Sequence, residues 1–210
     1  MSNVKWTFSP YNEEVYKKSK NRVMFVGADP NAEKEAVKTT DMGEWFRERL
    51  EGFNNCFYQR TVKMLAGVLQ HIEDDGVGED RHVKRLEHMR FIDLKATPGG
   101  PEAKTVQVRE YLETGDNAKK VSKYFNDPDT FPKYVILLGN HVHTLFFEFR
   151  GSKDKDLIFH EKSLAVCMPH PSHSVGYEAL EQVSKNDLLK KFRPITDKKL
   201  YKWTHENGKG

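Results

Sequence analysis

Val23-Met24-Phe25-Val26-Gly27-Ala28-Asp29-Pro30-Asn31 is a short apolar run that ends in a glycine turn and a carboxylate. Consecutive apolar residues bounded by a turn signal read as a strand buried on both faces, which places Asp29 on the loop just beyond the strand's C-terminal end. A second run of this kind, Leu164-Ala165-Val166-Cys167-Met168, leads into Pro169-His170-Pro171-Ser172-His173. Open α/β sheets bind ligands in crevices outside the C-terminal ends of their strands, so an acid and an imidazole placed there suggest a catalytic pair.

Two more strands lie between these runs, Arg90-Phe91-Ile92-Asp93-Leu94 and Tyr134-Val135-Ile136-Leu137-Leu138, the latter apolar enough to be central. The intervening stretches read as helices. Residues 10–19 form a short one, and Asp41 is the N-cap of another over 42–50, with Glu44 completing a capping box. Phe57, Val62, Leu65, Val68, Leu69 and Ile72 keep helical spacing, which predicts an amphipathic helix over 57–71. A polar helix ends near His88. Residues 105–125 are helical with a break at Gly115-Asp116, and Gly139-Asn140 turns the chain into a helix carrying Val142, Leu145, Phe146 and Phe149. Strands alternating with helices predict one α/β domain over residues 1–210, a three-layer αβα sandwich on a mostly parallel four-stranded sheet.

The 210 residues are 37% hydrophobic and 31% charged, which describes a globular protein rather than a disordered one. Two cysteines, Cys56 and Cys167, are too few for a disulfide framework and sit in apolar stretches, so both are expected as reduced core thiols. No apolar run approaches a membrane span and the N-terminus carries no signal-peptide core, from which a cytoplasmic location is expected. The net charge of +3 is uneven: Lys185, Lys190, Lys191, Arg193, Lys198, Lys199, Lys202 and Lys209 face only Asp187, Asp197 and Glu206 in the last stretch. This reads as a basic helical segment over about 185–210, with Leu200 and Trp203 packed inward, or as a surface for phosphates with Tyr201 and Trp203 stacking on bases.

A metal site built from His141, His143, His160, His170 and His173 is disfavoured. If Gly139-Asn140 starts a helix, positions 141 and 143 lie about 200° apart around its axis and cannot readily share an ion.

The order of signals, GADPN after the first strand, Asn55-Cys56-Phe57-Tyr58 opening a helix, FIDLK on the second strand, ILLGN on the third and PHPSHS after the last, resembles the uracil-DNA glycosylase superfamily over roughly residues 22–176. The resemblance implies a monofunctional DNA glycosylase acting in base excision repair by base flipping, a hydrolase of the N-glycosidic bond working as a monomer on DNA with no metal or organic cofactor. Cleavage of an N-glycosidic bond builds positive charge on the sugar and negative charge on the departing base. By the resemblance, Asp29 orients water and stabilises the sugar cation, and His170 hydrogen-bonds the base oxygen that gains charge. Gly27, Ala28, Asn31 and Phe57 would line the base pocket, Phe57 by stacking. Ser172, with His173 and Ser174, would hold backbone phosphate, and Val175 or Tyr177 would wedge into the vacated stack.

At the base-reading position the superfamily's asparagine is replaced by Asp93. An ionised carboxylate only accepts hydrogen bonds, so Asp93 would favour a base edge with two adjacent donors, or it pairs with Lys95 and is structural. Asn31 stands where uracil-excising members carry a tyrosine, which predicts a wider pocket. A catalytically silent nucleic-acid-binding member of the fold and a hydrolase of free nucleosides are the alternatives.

Overall fold

A computed structural model describes residues 6–29, 41–52, 67–70, 72, 82–97, 104–150, 157–170 and 185–202. Helix α1 (Glu13–Lys18) opens on the cap of Asn12, whose side chain accepts from the Val15 amide at 3.2 Å, and leads into β1 (Val23–Gly27). After α2 (Met42–Gly52) and α3 (His82–Leu86) come β2 (Met89–Asp93), α4 (Thr105–Glu113), α5 (Asn117–Asn126) and β3 (Tyr134–Leu138). Helix α6 (Asn140–Glu148), β4 (Leu164–Met168), α7 (Lys185–Lys191) and β5 (Arg193–Pro194) complete the order.

The sheet runs β2-β1-β3-β4-β5, with the first four strands parallel. From β1 the chain moves outward to β2 and then crosses to β3 on the other side. The order therefore reverses between β1 and β3, the point at which open α/β sheets place their ligand crevices. Val26 pairs with Ile92 on one side and Leu137 on the other, and Leu137 pairs with Cys167, so the C-terminal ends of all four strands fall on one edge.

Helices cover both faces. Neighbouring residues of a strand point to opposite sides. On β2, Phe91 meets Phe46 of α2 at 5.4 Å between ring centroids, while the guanidinium of Arg90 lies 4.9 Å over the Tyr16 ring of α1 and 5.6 Å over Tyr124 of α5. Helix α4 is tied to α6 in the same layer by the paired hydrogen bonds of Arg109 to Glu148, at 2.8 and 2.9 Å. Strands β1 and β3 are buried almost throughout, as their unbroken apolar sequence requires.

The helix breaks follow local chemistry. Asp41 caps α2 by accepting from the Glu44 amide, and its other oxygen takes the Thr7 hydroxyl and the Ser9 amide. The predicted interruption at Gly115-Asp116 separates α4 from α5, with Gly115 at φ +55, a conformation that suits glycine. Of the amphipathic stretch over 57–71, residues 67–70 are described and helical, with Val68 and Leu69 buried.

Two expectations need correction. The sheet has five strands, not four: β5 runs antiparallel to β4, with Arg193 opposite Ala165 and Pro194 opposite Leu164. Two residues are too few for a hydrophobic period to announce them. Among the described residues, the basic C-terminal segment is helical over Lys185–Lys191 and not over 192–202. Beyond it the chain turns back, because Pro194 cannot donate into a helix and the outer edge of β4 offers partners instead. The Cys167 amide donates to the Tyr201 carbonyl at 2.9 Å, and Leu200 is buried beside this edge without a helix. No helix among the described residues is long and apolar enough to cross a membrane.

Candidate active site

Four loops leave the same sheet edge: Ala28-Asp29 after β1, Leu94-Lys95 after β2, Gly139 after β3 and Pro169-His170 after β4. Parallel pairing continues past the first two strands, with the Leu94 amide donating to the Gly27 carbonyl and the Lys95 amide to the Ala28 carbonyl, each at 3.0 Å. The Gly139 amide likewise donates to the Met168 carbonyl at 2.8 Å. Backbone hydrogen bonds thus fix the stems that carry Asp29, Lys95 and His170 relative to one another.

Glycine is required at two of these points. A Cβ at position 27 would overlap Oδ1 of Asp93, its cross-strand partner, and stand 3.2 Å from the Phe91 ring. Gly139 has φ +87, and a Cβ there would come within 3.3 Å of the His170 Cβ. Strands β1 and β4 are separated by β3 alone, so Asp29 and His170 leave strands roughly 10 Å apart, with side-chain-free Gly139 between them. Helix α6 starts at this point, and its first amides add positive potential to the edge.

Asp29 is 6% exposed, and neither of its carboxylate oxygens accepts a hydrogen bond among the described residues. Lys95 stands beside it, with Nζ 3.6 Å from Oδ2. Burial raises the Asp29 pKa above the usual carboxylate value, although Lys95 works in the opposite sense. Asp93 is fully enclosed, and burial together with the charge of Asp29 pushes its pKa well above the ordinary range. Lys95 pairs with Asp29, and burial beside that carboxylate favours the neutral form of Asp93.

This changes the reading of Asp93 in two ways. Lys95 pairs with Asp29, so the alternative in which Lys95 neutralises Asp93 does not hold. The raised pKa favours a neutral carboxyl, which donates as well as accepts, whereas the sequence suggested an acceptor-only carboxylate. The sequence could not show this direction, since it follows from burial and from a neighbour far away along the chain.

Of the other anticipated residues, Gly27 and Ala28 lie beside Asp93 and Asp29. Asn31, Phe57, Ser172, His173, Ser174, Val175 and Tyr177 lie outside the described residues, as does Cys56. Cys167 is buried, and desolvation raises its thiol pKa to about 12. His141 bonds the Thr105 hydroxyl at 2.6 Å, whereas His143 packs against Phe147. Lys95 and Gly139 are the contributors that sequence reasoning passed over as functional groups. A basic residue two positions past Asp93, beyond a strand end, was the available signal for the first.

A surface groove of about 400 Å³ lined by Lys119, Ser122, Lys123 and Ile158 lies along α5 and contains none of these groups. No protein-family model matches the chain, and no curated protein matches it.

Proposed function

We propose that the chain is a DNA glycosylase that hydrolyses the N-glycosidic bond of a damaged or deaminated base flipped from the helix. The observation that carries this reading is the placement of Asp29 and His170. A buried carboxylate paired with Lys95 and an imidazole follow β1 and β4 at one sheet edge, with Gly139 after the strand between them.

In this reading Asp29 holds the attacking water and faces the sugar as positive charge develops, and its low-dielectric surroundings strengthen that attraction. His170 donates to the base oxygen that gains negative charge. Asp93, as a neutral acid, donates with one oxygen and accepts with the other, which suits a base edge with one acceptor beside one donor. Gly27 and Ala28 bring backbone close to the base, with Asn31 and Phe57 completing the pocket. Ser172, His173 and Ser174 bind phosphate, and Val175 or Tyr177 fills the gap in the stack. The basic C-terminal segment reaches this edge, since Lys202 bridges to Cys167 of β4, and gives the DNA backbone a cationic border.

The test is turnover on oligonucleotides carrying uracil, hypoxanthine, xanthine, and mismatched or alkylated bases, with abasic products cleaved by alkali. Cleavage is expected on at least one lesion, and Asp29→Asn should reduce it by roughly 100- to 10,000-fold. Binding without cleavage on every lesion would favour the silent nucleic-acid-binding module.

A further inference from the structure

Lysine is rarely enclosed, yet the Lys95 side chain is 10% exposed and stands at the strand-end edge with its ammonium 3.6 Å from Asp29. Its backbone is clamped to the loop that carries Asp29 through the bond from the Lys95 amide to the Ala28 carbonyl. Any sugar carbon close enough to Asp29 to be attacked by a water it holds is therefore also within a few ångströms of a primary amine. A nucleophile beside a carboxylate that can take its proton is the arrangement covalent catalysis requires.

We propose that Lys95 is a second catalytic group, whose amine condenses with the aldehyde of an abasic deoxyribose at this edge and drives strand scission by β-elimination. The inference rests on the reading of Asp29 as the group that faces the sugar. Asp29 first takes a proton from the ammonium, helped by the raised proton affinity that burial gives it. The freed amine adds to C1′ of the ring-opened sugar, the carbonyl oxygen leaves as water with the proton returned by Asp29, and a protonated imine forms. Asp29 then removes a proton from C2′. The electron pair forms the C2′–C3′ double bond, and the C3′–O bond breaks with the phosphate as leaving group. Water hydrolyses the imine, which restores Lys95 and releases an unsaturated aldehyde on the upstream strand.

An ammonium that served only to balance Asp29 would be replaceable by any cation, whereas an imine needs the primary amine. The experiment incubates the full chain with a duplex containing a preformed abasic site and sodium cyanoborohydride, and follows the covalent adduct by gel and peptide mass mapping. The expected result is an adduct on Lys95 and, without reductant, a β-elimination product. Lys95→Arg should lose both. An adduct mapped to another lysine or to the N-terminus, or no adduct, overturns the proposal, and mapping the unaltered chain decides the matter even if the variant fails to fold. Because the abasic site is supplied, failure here leaves base excision, read separately with alkali, untouched. Trapping at Lys95 without excision of any lesion would instead overturn the glycosylase reading and retain the lyase.

Discussion

Adding a single methyl group at Gly27 tests the geometry of the carboxyl pair most directly. A Cβ at this position overlaps Oδ1 of Asp93 and presses on the Phe91 ring at 3.2 Å. The carboxyl cannot swing away into water, because Asp93 is 3% exposed. Overpacking a filled core costs about 1 to 3 kcal/mol, and about 2 to 4 °C of Tm is lost per kcal/mol in a chain of this size. Urea unfolding of Gly27→Ala should therefore show a lower midpoint with an unchanged slope. In an Asp93→Ala background the overlapping atom is gone, so the same methyl should cost less than half as much, leaving a coupling outside the roughly 0.5 kcal/mol within which independent sites add. Equal costs in the two backgrounds would refute the contact between Gly27 and Asp93, and with it the placement of the acid over the strand end.

The other outcomes follow from charge and backbone conformation. The folded chain binds the Asp93 proton more tightly than the unfolded one, so raising the pH above about 4 costs stability until the folded pKa is passed. Asp93→Asn, which cannot ionise, should fall off less between pH 5 and pH 8 in denaturant titrations; parallel pH profiles for the two proteins would count against a proton on Asp93. Gly139→Ala must adopt φ +87 and crowd His170, whereas Gly115→Ala at φ +55 meets nothing within 4 Å. Thermal unfolding should show about 1 kcal/mol lost at Gly115 and a larger loss at Gly139, and equal losses would mean that His170 does not press on the turn.

Much of the sheet could be read from residue type. Strands β3 and β4 occupy the predicted 134–138 and 164–168, since an unbroken apolar run between polar turns allows few registers. Strand β1 starts at the expected Val23, whereas β2 runs over 89–93, one residue earlier than the expected 90–94. Gly115 announced the helix break because few other residues adopt its conformation cheaply. Strand β5 gave no sign, having two residues, one of them a proline. The acid after β1 and the histidine after β4 were visible as loop residues, but the partnership of Asp29 with Lys95 was not. It arises because β1 and β2 are neighbours in the sheet, which brings together residues 66 positions apart (95 − 29). The raised proton affinity of Asp93 was equally out of reach, since an aspartate looks the same in sequence whether it is exposed or buried.

The far border of the sheet is finished by hand-over: Arg193 and Pro194 line the lower half of β4, and Tyr201 takes up the upper half at Cys167. This hem uses few residues, yet it leaves little of the strand's ladder bare for another chain to copy. Residues 193–202 thus belong to the folded body, and their lysines are carried on a strap anchored at two points rather than on a loose tail. Cations held that way meet a polyanion already in position, with less freedom to surrender when they engage it.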